Sequence, residues 1–333
     1  MAFPMRLVMT LLARDEADIV DAQIAFHLAA GVDFVVATDH ASRDGTTGVL
    51  ERYADRGVLH LDRESGAGLR QSEWVTRMAR MAAADFGADW VINSDADEFW
   101  WPSGGDLKHV LAQTLDRYGV VHTFVRPFLP RPGDGHFAER MTVRFAPAAP
   151  INDPVSSFKV NVRIVHRGAP DIVVGRGNVS VRAPGLRPFR GWSAIEVLHF
   201  PIRGLDHFRR KFLDHYTTVG GLRSDHARAY EAARTGTLDD LYERISVDEE
   251  RLRRGLADGS LAVDTRLRNA LRELAEGRPL AFPPRSTGDA AGYAVDWAAL
   301  EAGELVRLQR RVDEVERRLT AAEGRRRTWS RTT

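Results

Sequence analysis

The sequence predicts an α/β protein, built on a mostly parallel sheet flanked by helices and extended at its C-terminus by further helices. Three observations carry this. Apolar runs short enough for strands recur through the first hundred residues, separated by segments whose apolar residues fall at helical spacing. Gly, Asp and Arg gather at each junction. The 333 residues, 44% hydrophobic and 28% charged, are ample for one large core plus an appendage.

Taken in order, "RLVMTLLA" (6–13) reads as a buried strand and residues 15–32 as a helix capped by Asp15, with Gly31 past its end. "DFVVATD" (33–39) is a second strand, "ASRDGTTG" a turn and "TGVLERYADRG" a short helix. "VLHLDR" (58–63) is a third strand, residues 69–87 an amphipathic helix and "DWVINSD" (89–95) a fourth strand. Strands alternating with helices argue βαβ units, and in such sheets ligands bind beyond the carboxyl ends of the strands. The loops at Arg14–Glu16, Asp39–Asp44, Arg63–Arg70 and Asp95–Glu98 are therefore expected to face one crevice.

After residue 105 the rhythm changes. Residues 106–118 read as helix and 119–128 as strand, followed by a Pro- and Gly-rich loop. Residues 157–167, 171–175, 178–181 and 194–200 read as strands of an antiparallel or mixed extension. The expected organisation is a nucleotide-binding and catalytic domain over 1–203, a helical extension over 204–277 and a linker over 278–296. A heptad helix over 297–324 and a disordered basic tail over 325–333 complete it. Leu305, Leu308, Val312, Val315 and Leu319 step by three and four, which suits one helix packed on its own domain or a homo-oligomer formed through 300–320.

Composition excludes several classes. With no cysteine there is no disulfide, thiolate metal site or cysteine nucleophile, so any metal must use oxygen or imidazole ligands. A net charge of +1 gives no electrostatic case for nucleic acid. No apolar run spans a bilayer and no signal peptide is recognisable, which predicts a cytoplasmic protein whose tail is available to a membrane surface. G-x-G-x-x-G, Walker A and H-E-x-x-H are absent, which argues against dinucleotide oxidoreductases, P-loop enzymes and zinc proteases.

The informative stretch is "NSDADEFW" (93–100). In extended chain Asp95 and Asp97 point to one side, roughly 6–7 Å apart. Like charges that close are costly unless a cation lies between them, and a D-x-D ending a central parallel strand can hold a hard divalent cation through oxygen. The structural alternative is an acidic turn before the helix at 106.

Three ordered segments, "LLARDEADIVDAQIAFHLAAGVDFVVATDHASRDGT", "DWVINSDADEFWWP" and "LHFPIRGLDHFRRKF", resemble family 2 glycosyltransferases of the GT-A fold, a Rossmann-like sheet. The match is with the subgroup patterned N-E-x-D-I, H-x-x-x-G-x-D, D-N-x-S-x-D-G-T and D-W-x-x-x-x-D-x-D-E-F, and it covers about residues 5–215. Two positions depart from it: Arg14 and Asp15 replace the direct Asn-Glu, and His40 stands where Asn is usual. The resemblance implies a nucleotide-sugar donor (UDP-, GDP- or dTDP-linked), a sugar, lipid-linked or small-molecule acceptor, and Mn²⁺ or Mg²⁺. It implies that Asp39 contacts base or ribose and that Asp44 shapes its turn; Arg14, Glu16 and Arg70, in the loops expected to face the crevice, are candidates to line the donor site with Asp95. Asp95 and Asp97 become metal ligands, and Glu98 either orients a sugar or pairs with an Arg. A late His followed by basic residues makes His199 a third ligand and Arg203 and Lys211 a diphosphate clamp. In "GRGNVSV" the family often carries His after Asn; here that place is Val179.

An inverting transferase also needs a general base for the acceptor hydroxyl. Asp134 in "RPGDGH" and Asp153 in "INDPV" are candidates, and turn chemistry explains each equally well. Trp100, Trp101 and Trp192 form either a sugar-stacking wall or part of the core, and Lys159 sits near a strand end. Three other readings stay open: a nucleotidyltransferase, against which stands the loop "ARDEAD", a non-catalytic binding or assembly relative, and an interaction-driven helical adaptor, which fits only residues 204–333.

Overall fold

Four parallel strands in the spatial order β3 (Leu59–Glu64), β2 (Phe34–His40), β1 (Leu7–Ala13) and β4 (Trp90–Asp95) form half of a nine-stranded sheet. The computed structural model describes residues 5–65, 68, 70–146, 162–189, 193–212, 224–285, 309, 312–315 and 317–318. Its contacts divide the chain into two units, Met1–Ser286 and Thr287–Thr333. In the first, α1 (Val20–Ala29), α2 (Thr46–Asp55) and α3 (Gln71–Ala84) connect the parallel strands. Alternation along β1 decides the layers. Leu7, Met9, Leu11 and Ala13 join the core shared with α1 and α2, while Val8 joins the core with Val75, Met78 and Ala79 of α3.

β5 (Glu98–Pro102), α4 (Leu107–Ala112), β6 (Val120–Pro127), α5 (Phe137–Arg140), β7 (Val143–Phe145) and β8 (Val162–Arg167) follow. Two short strands, β9 (Val173–Val174) and β10 (Val181–Arg182), pair with each other. β11 (Pro188–Phe189) pairs with β6, and β12 (Ile195–His199) lies parallel to β6 and antiparallel to β5. Since β8 is antiparallel to both β4 and β6, the second half of the sheet is mixed. The architecture is α/β with a large central sheet flanked by helices.

Beyond β12 come α6 (Leu205–Arg210), α7 (Ser224–Thr235), α8 (Leu238–Ile245), α9 (Glu249–Ala257), β13 (Leu261–Val263) and α10 (Arg266–Ala275). β13 interrupts the all-helical reading of 204–277, because its three residues pair antiparallel with β7. Leu267 and Ala270 of α10 and Phe282 beyond it belong to the same core as β1, and Phe282 meets the rings of Phe26 and Trp101 edge-on.

Other local differences have identifiable causes. Asp15 does not cap α1: it is left-handed (φ 54°) and its Oδ1 accepts from Arg43 N–H at 2.7 Å, joining two loops. Helix 106–118 stops at Ala112 after a true cap, Asp106 accepting from His109 N–H at 2.7 Å. Asn178, read as the start of a strand over 178–181, instead closes a 3₁₀ turn over Arg176–Asn178 in which Gly177 and Asn178 are left-handed. β5 was not expected, because only Ala96 and Asp97 separate it from β4. Trp100 and Trp101 are 0% and 6% exposed and take the core alternative.

No described helix is long and apolar enough to cross a membrane. Of the heptad positions, Val312 and Val315 are described and exposed; Leu305, Leu308, Leu319 and the tail at 325–333 lie outside the described residues.

Gly168, just after β8, supports the β4 side of the sheet through close approach. A Cβ there would stand 1.9 Å from the Ala88 carbonyl oxygen, an atom of backbone that cannot turn aside. Gly168→Ala is expected to cost about 1–3 kcal/mol, as overpacking does, lowering the urea midpoint without changing the slope of the transition.

Candidate active site

The two-residue turn between β4 and β5 is the origin of the site. Rather than continuing in extended form, the chain reverses at Ala96 and Asp97, and β5 then pairs with β12 so that Glu98 lies opposite His199. This register brings His199 Nε2 to 3.4 Å from Asp97 Oδ1. From the first residue after α6, Lys211 Nζ reaches Asp97 Oδ2 at 3.2 Å and the Pro201 carbonyl at 2.9 Å. Among the described residues, Asp97, Glu98 and His199 offer ligand atoms that all lie within 4.8 Å of one another.

Asp95 is held differently. Its Oδ1 accepts from Asn178 Nδ2 at 3.2 Å and Gln71 Nε2 at 3.4 Å, and its own N–H donates to Glu98 Oε2 at 3.3 Å. Glu98, fully buried, pairs through Oε1 with Arg163 Nε of β8 at 2.5 Å. Of the two expectations for Glu98, this contact is the pairing one.

Glu16 and Asp18 approach from the loop after β1. The Arg203 guanidinium grips both Asp18 oxygens at 2.7 Å and also bonds Glu16, and its side chain is 1% exposed. As it stands, Arg203 ties the β1–α1 loop to the β12–α6 loop, leaving Lys211 as the more accessible cation of the expected clamp.

The cluster carries five carboxylates (Glu16, Asp18, Asp95, Asp97, Glu98) against three permanent cations (Arg163, Arg203, Lys211). The acid excess is visible in the titrations. Burial, only partly offset by Arg203, pushes Glu16 up to about 7, and burial together with Glu98 pushes Asp95 up to about 7. Burial opposes ionisation of Asp97 too, but Lys211 and His199 outweigh it and hold that carboxyl well below the usual range. His207, whose Nδ1 accepts from Arg203 N–H at 3.4 Å, is kept neutral by burial and by Arg203 and Lys211.

The remaining expected residues lie along the same edge or away from it. Register places Asp39 beside Ala13, and Asp95 beside Leu12, at the carboxyl ends of β2 and β4. Asp39 accepts from Ser42 N–H at 3.2 Å and Thr47 Oγ1 at 2.5 Å. Asp44 accepts from Thr46 Oγ1 at 2.6 Å and Ala17 N–H at 3.0 Å. Arg14 Nε is buried with no hydrogen-bond partner among the described residues. Arg70 is exposed, paired with Glu73 and lying over the Trp74 ring. Asp134 sits in the exposed 132–136 loop, while Asp153, Lys159 and Trp192 lie outside the described residues.

Asp18, Arg163, Gln71, Asn178 and His207 were not anticipated. None of them carries a local signal: in "KVNVRIV" Arg163 takes the same polar phase as Lys159 and Asn161.

The donor set can be tested against a divalent cation. Two carboxylates and an imidazole suit Mn²⁺ or Mg²⁺. A dication would offset the carboxylate charge that the three cations leave uncompensated, and His199, with its side chain 21% exposed, leaves the set open on one side. The residues fit.

No family model matches the chain, and no curated protein sequence matches it. Solved structures similar to it include S. aureus TarS (13% identity over 70% of this chain and 43% of that one, TM-score 0.34). The shorter S. aureus TarS 1–349 in complex with UDP-GlcNAc is 12% identical over 82% and 93%, with a TM-score of 0.37. Mannosyltransferase PcManGT from Pyrobaculum calidifontis, in complex with GDP-Man and Mn²⁺, is 17% identical over 92% and 88%, with a TM-score of 0.36. At this level of overlap, function has to be argued from the chain's own residues.

Proposed function

We propose that this chain is a metal-dependent glycosyltransferase of the GT-A type, moving a sugar from a nucleotide-diphosphate donor to an acceptor hydroxyl with inversion. The observation that carries the reading is the meeting of Asp97, Glu98 and His199 at the carboxyl edge of the parallel strands, with Lys211 against Asp97. A divalent cation held there would neutralise charge developing on the departing diphosphate. Lys211, which lies against Asp97, would stabilise the same charge by meeting a phosphate oxygen. Arg163 fixes Glu98, Asn178 and Gln71 fix Asp95, and Arg203 fixes the loop after β1, so the donor enters a preorganised edge. In this reading Asp39, Asp44 and Arg14, at or just beyond the carboxyl ends of β2 and β1, are the residues that would meet the nucleotide. Asp134 is the candidate base among the described residues, on an exposed loop that an acceptor can reach.

The test is a screen of UDP-, GDP- and dTDP-sugars with Mn²⁺ or Mg²⁺. Slow donor hydrolysis that EDTA abolishes is expected; no turnover and no thermal stabilisation with any donor would end the proposal. Lys211→Ala is expected to lower kcat/KM by about 10–100-fold, since it removes a contact to phosphate, and to shift Mn²⁺ affinity as well, since Lys211 pairs with the ligand Asp97.

The acid excess adds a pH signature. Glu16 and Asp95 titrate near 7 when folded and near 4.5 and 3.8 when unfolded, so between about 4 and 7 the folded state binds more protons and these two groups lose stability as pH rises. A bound dication relieves that loss. The rise in Tm caused by Mn²⁺ is therefore expected to be larger at pH 8 than at pH 5, measured on the same protein by thermal unfolding.

A further inference from the structure

Residues 172–178 lie along α3, held by one side chain after another of that helix. Arg80 Nε donates to the Ile172 carbonyl at 2.8 Å, Thr76 Oγ1 accepts from Val174 N–H at 3.0 Å, and Ser72 Oγ donates to the Val174 carbonyl at 2.5 Å. These three positions are four apart and share a helix face. One residue before them, Gln71 Oε1 accepts from Gly177 N–H at 3.3 Å, which fixes its amide so that Nε2 points at Asp95.

The segment ends in two left-handed residues, Gly177 (φ 73°) and Asn178 (φ 58°). For a side-chain-bearing residue that conformation costs of order 1 kcal/mol, and Asn tolerates it better than most. Asn178 is also 1% exposed, and with Nδ2 committed to Asp95 its Oδ1 has no hydrogen-bond partner among the described residues. The opposite amide orientation would set Oδ1 against a carboxylate oxygen. Strain and an unsatisfied acceptor thus coincide on one residue, in contact with the acid that ends β4. Core packing explains neither, since an apolar side chain would avoid the second and glycine the first.

We propose that Asn178 is a ligand-binding and positioning residue: its Nδ2, together with Gln71, fixes Asp95, and its Oδ1 accepts a hydrogen bond from an O–H group of the bound complex. That O–H comes either from a hydroxyl of the nucleotide or sugar or from water carried by the divalent cation. The inference rests on the function proposed above, and it names a residue in the stretch where the family resemblance left the expected ligand missing at Val179.

The experiment uses the full chain as wild type, Asn178→Gly, Asn178→Asp and Asp97→Asn. Asn178→Gly keeps the left-handed backbone, so its fold is expected to survive, and thermal unfolding checks this. Calorimetry is run with MnCl₂ alone, then with UDP, GDP and dTDP in the presence of Mn²⁺. Both Asn178 variants are expected to weaken the Mn²⁺–nucleotide complex by about tenfold or more, equivalent to about 1.4 kcal/mol. Loss already seen with MnCl₂ alone assigns the O–H to metal-bound water; loss confined to the nucleotide complexes assigns it to a ligand hydroxyl. The EPR spectrum of bound Mn²⁺ should also change in Asn178→Gly, which a role in folding alone would not produce. If wild type binds a probe and Asp97→Asn does not, while Asn178→Gly binds within about twofold of wild type with an unaltered spectrum, this inference is overturned and the proposed function stands. A wild type that binds no probe removes the proposed function instead.

Discussion

Asp97→Asn is expected to lower nucleotide-sugar turnover by about a thousandfold, or about 4 kcal/mol of transition-state stabilisation, while the protein stays folded. The reason is that Asp97 is held firmly ionised: burial opposes its charge, yet Lys211 and His199 more than offset it. The amide keeps the shape and can still meet Lys211 and His199, but it offers a cation no charge. Some stability is lost too, since a carboxyl held below its usual range favours the folded state, but Lys211 keeps its bond to the Pro201 carbonyl. Donor hydrolysis by wild type and variant, each with saturating Mn²⁺ and with EDTA, measures the effect. Equal rates with and without the substitution would show that the acidic turn caps β4 and nothing more. Glu98→Gln is a useful comparison, since Glu98 is committed to Arg163 at 2.5 Å and its loss should disturb stability along with activity.

What could be seen in advance divides along a physical line. The β1–β4 half of the sheet was legible because each strand is a local apolar run and each crossover helix carries its own periodicity; "DWVINSD" also marked where the acids would fall. β5 escaped because "EFWW" follows its predecessor after a two-residue turn, and its pairing with β12 depends on residues about a hundred positions away. The Asp15 cap failed for a related reason, since its partner, the Arg43 amide, comes from another loop. The same limit applies to the site. Asp95, Asp97 and His199 stand in recognisable local patterns, but the ion pairs that tune them, Arg163 with Glu98 and Arg203 with Asp18, join residues 65 and 185 positions apart. Nothing in a local window distinguishes those arginines from the many others in an arginine-rich chain. Arg203 shows the consequence: its place after His199 suggested a phosphate clamp, and its geometry is that of a loop tie.

On the other side of β12, three residues before His199, lies the ion network whose loss should most affect stability. Glu196 accepts from Arg126 Nε at 2.6 Å and Arg266 Nη1 at 3.1 Å, with Arg285 at 3.8 Å; Arg266 and Arg144 in turn hold Asp264 at 2.7 Å. Burial opposes ionisation of Glu196, but Arg126, Arg285 and Arg266 outweigh it and bring the carboxyl down to about 2. Glu196→Gln is expected to cost about 3–5 kcal/mol, because it leaves buried guanidinium groups short of countercharge, and to lower Tm by roughly 10 °C. The sign of the pH dependence follows from the depressed value. The contribution is fully present above about 4.5, the unfolded value, and is lost as pH falls toward about 2, so wild type and variant should converge in acid. Urea unfolding at pH 7 and pH 3 measures both. Replacing Glu196→Leu together with Arg126→Met should recover only part of the loss at pH 7, since Arg126 goes with its counterion while Arg266 and Arg285 still lose their contact with Glu196. A single Glu196→Gln variant as stable as wild type at pH 7 would mean that the arginines are compensated elsewhere and that Glu196 is not their counterion.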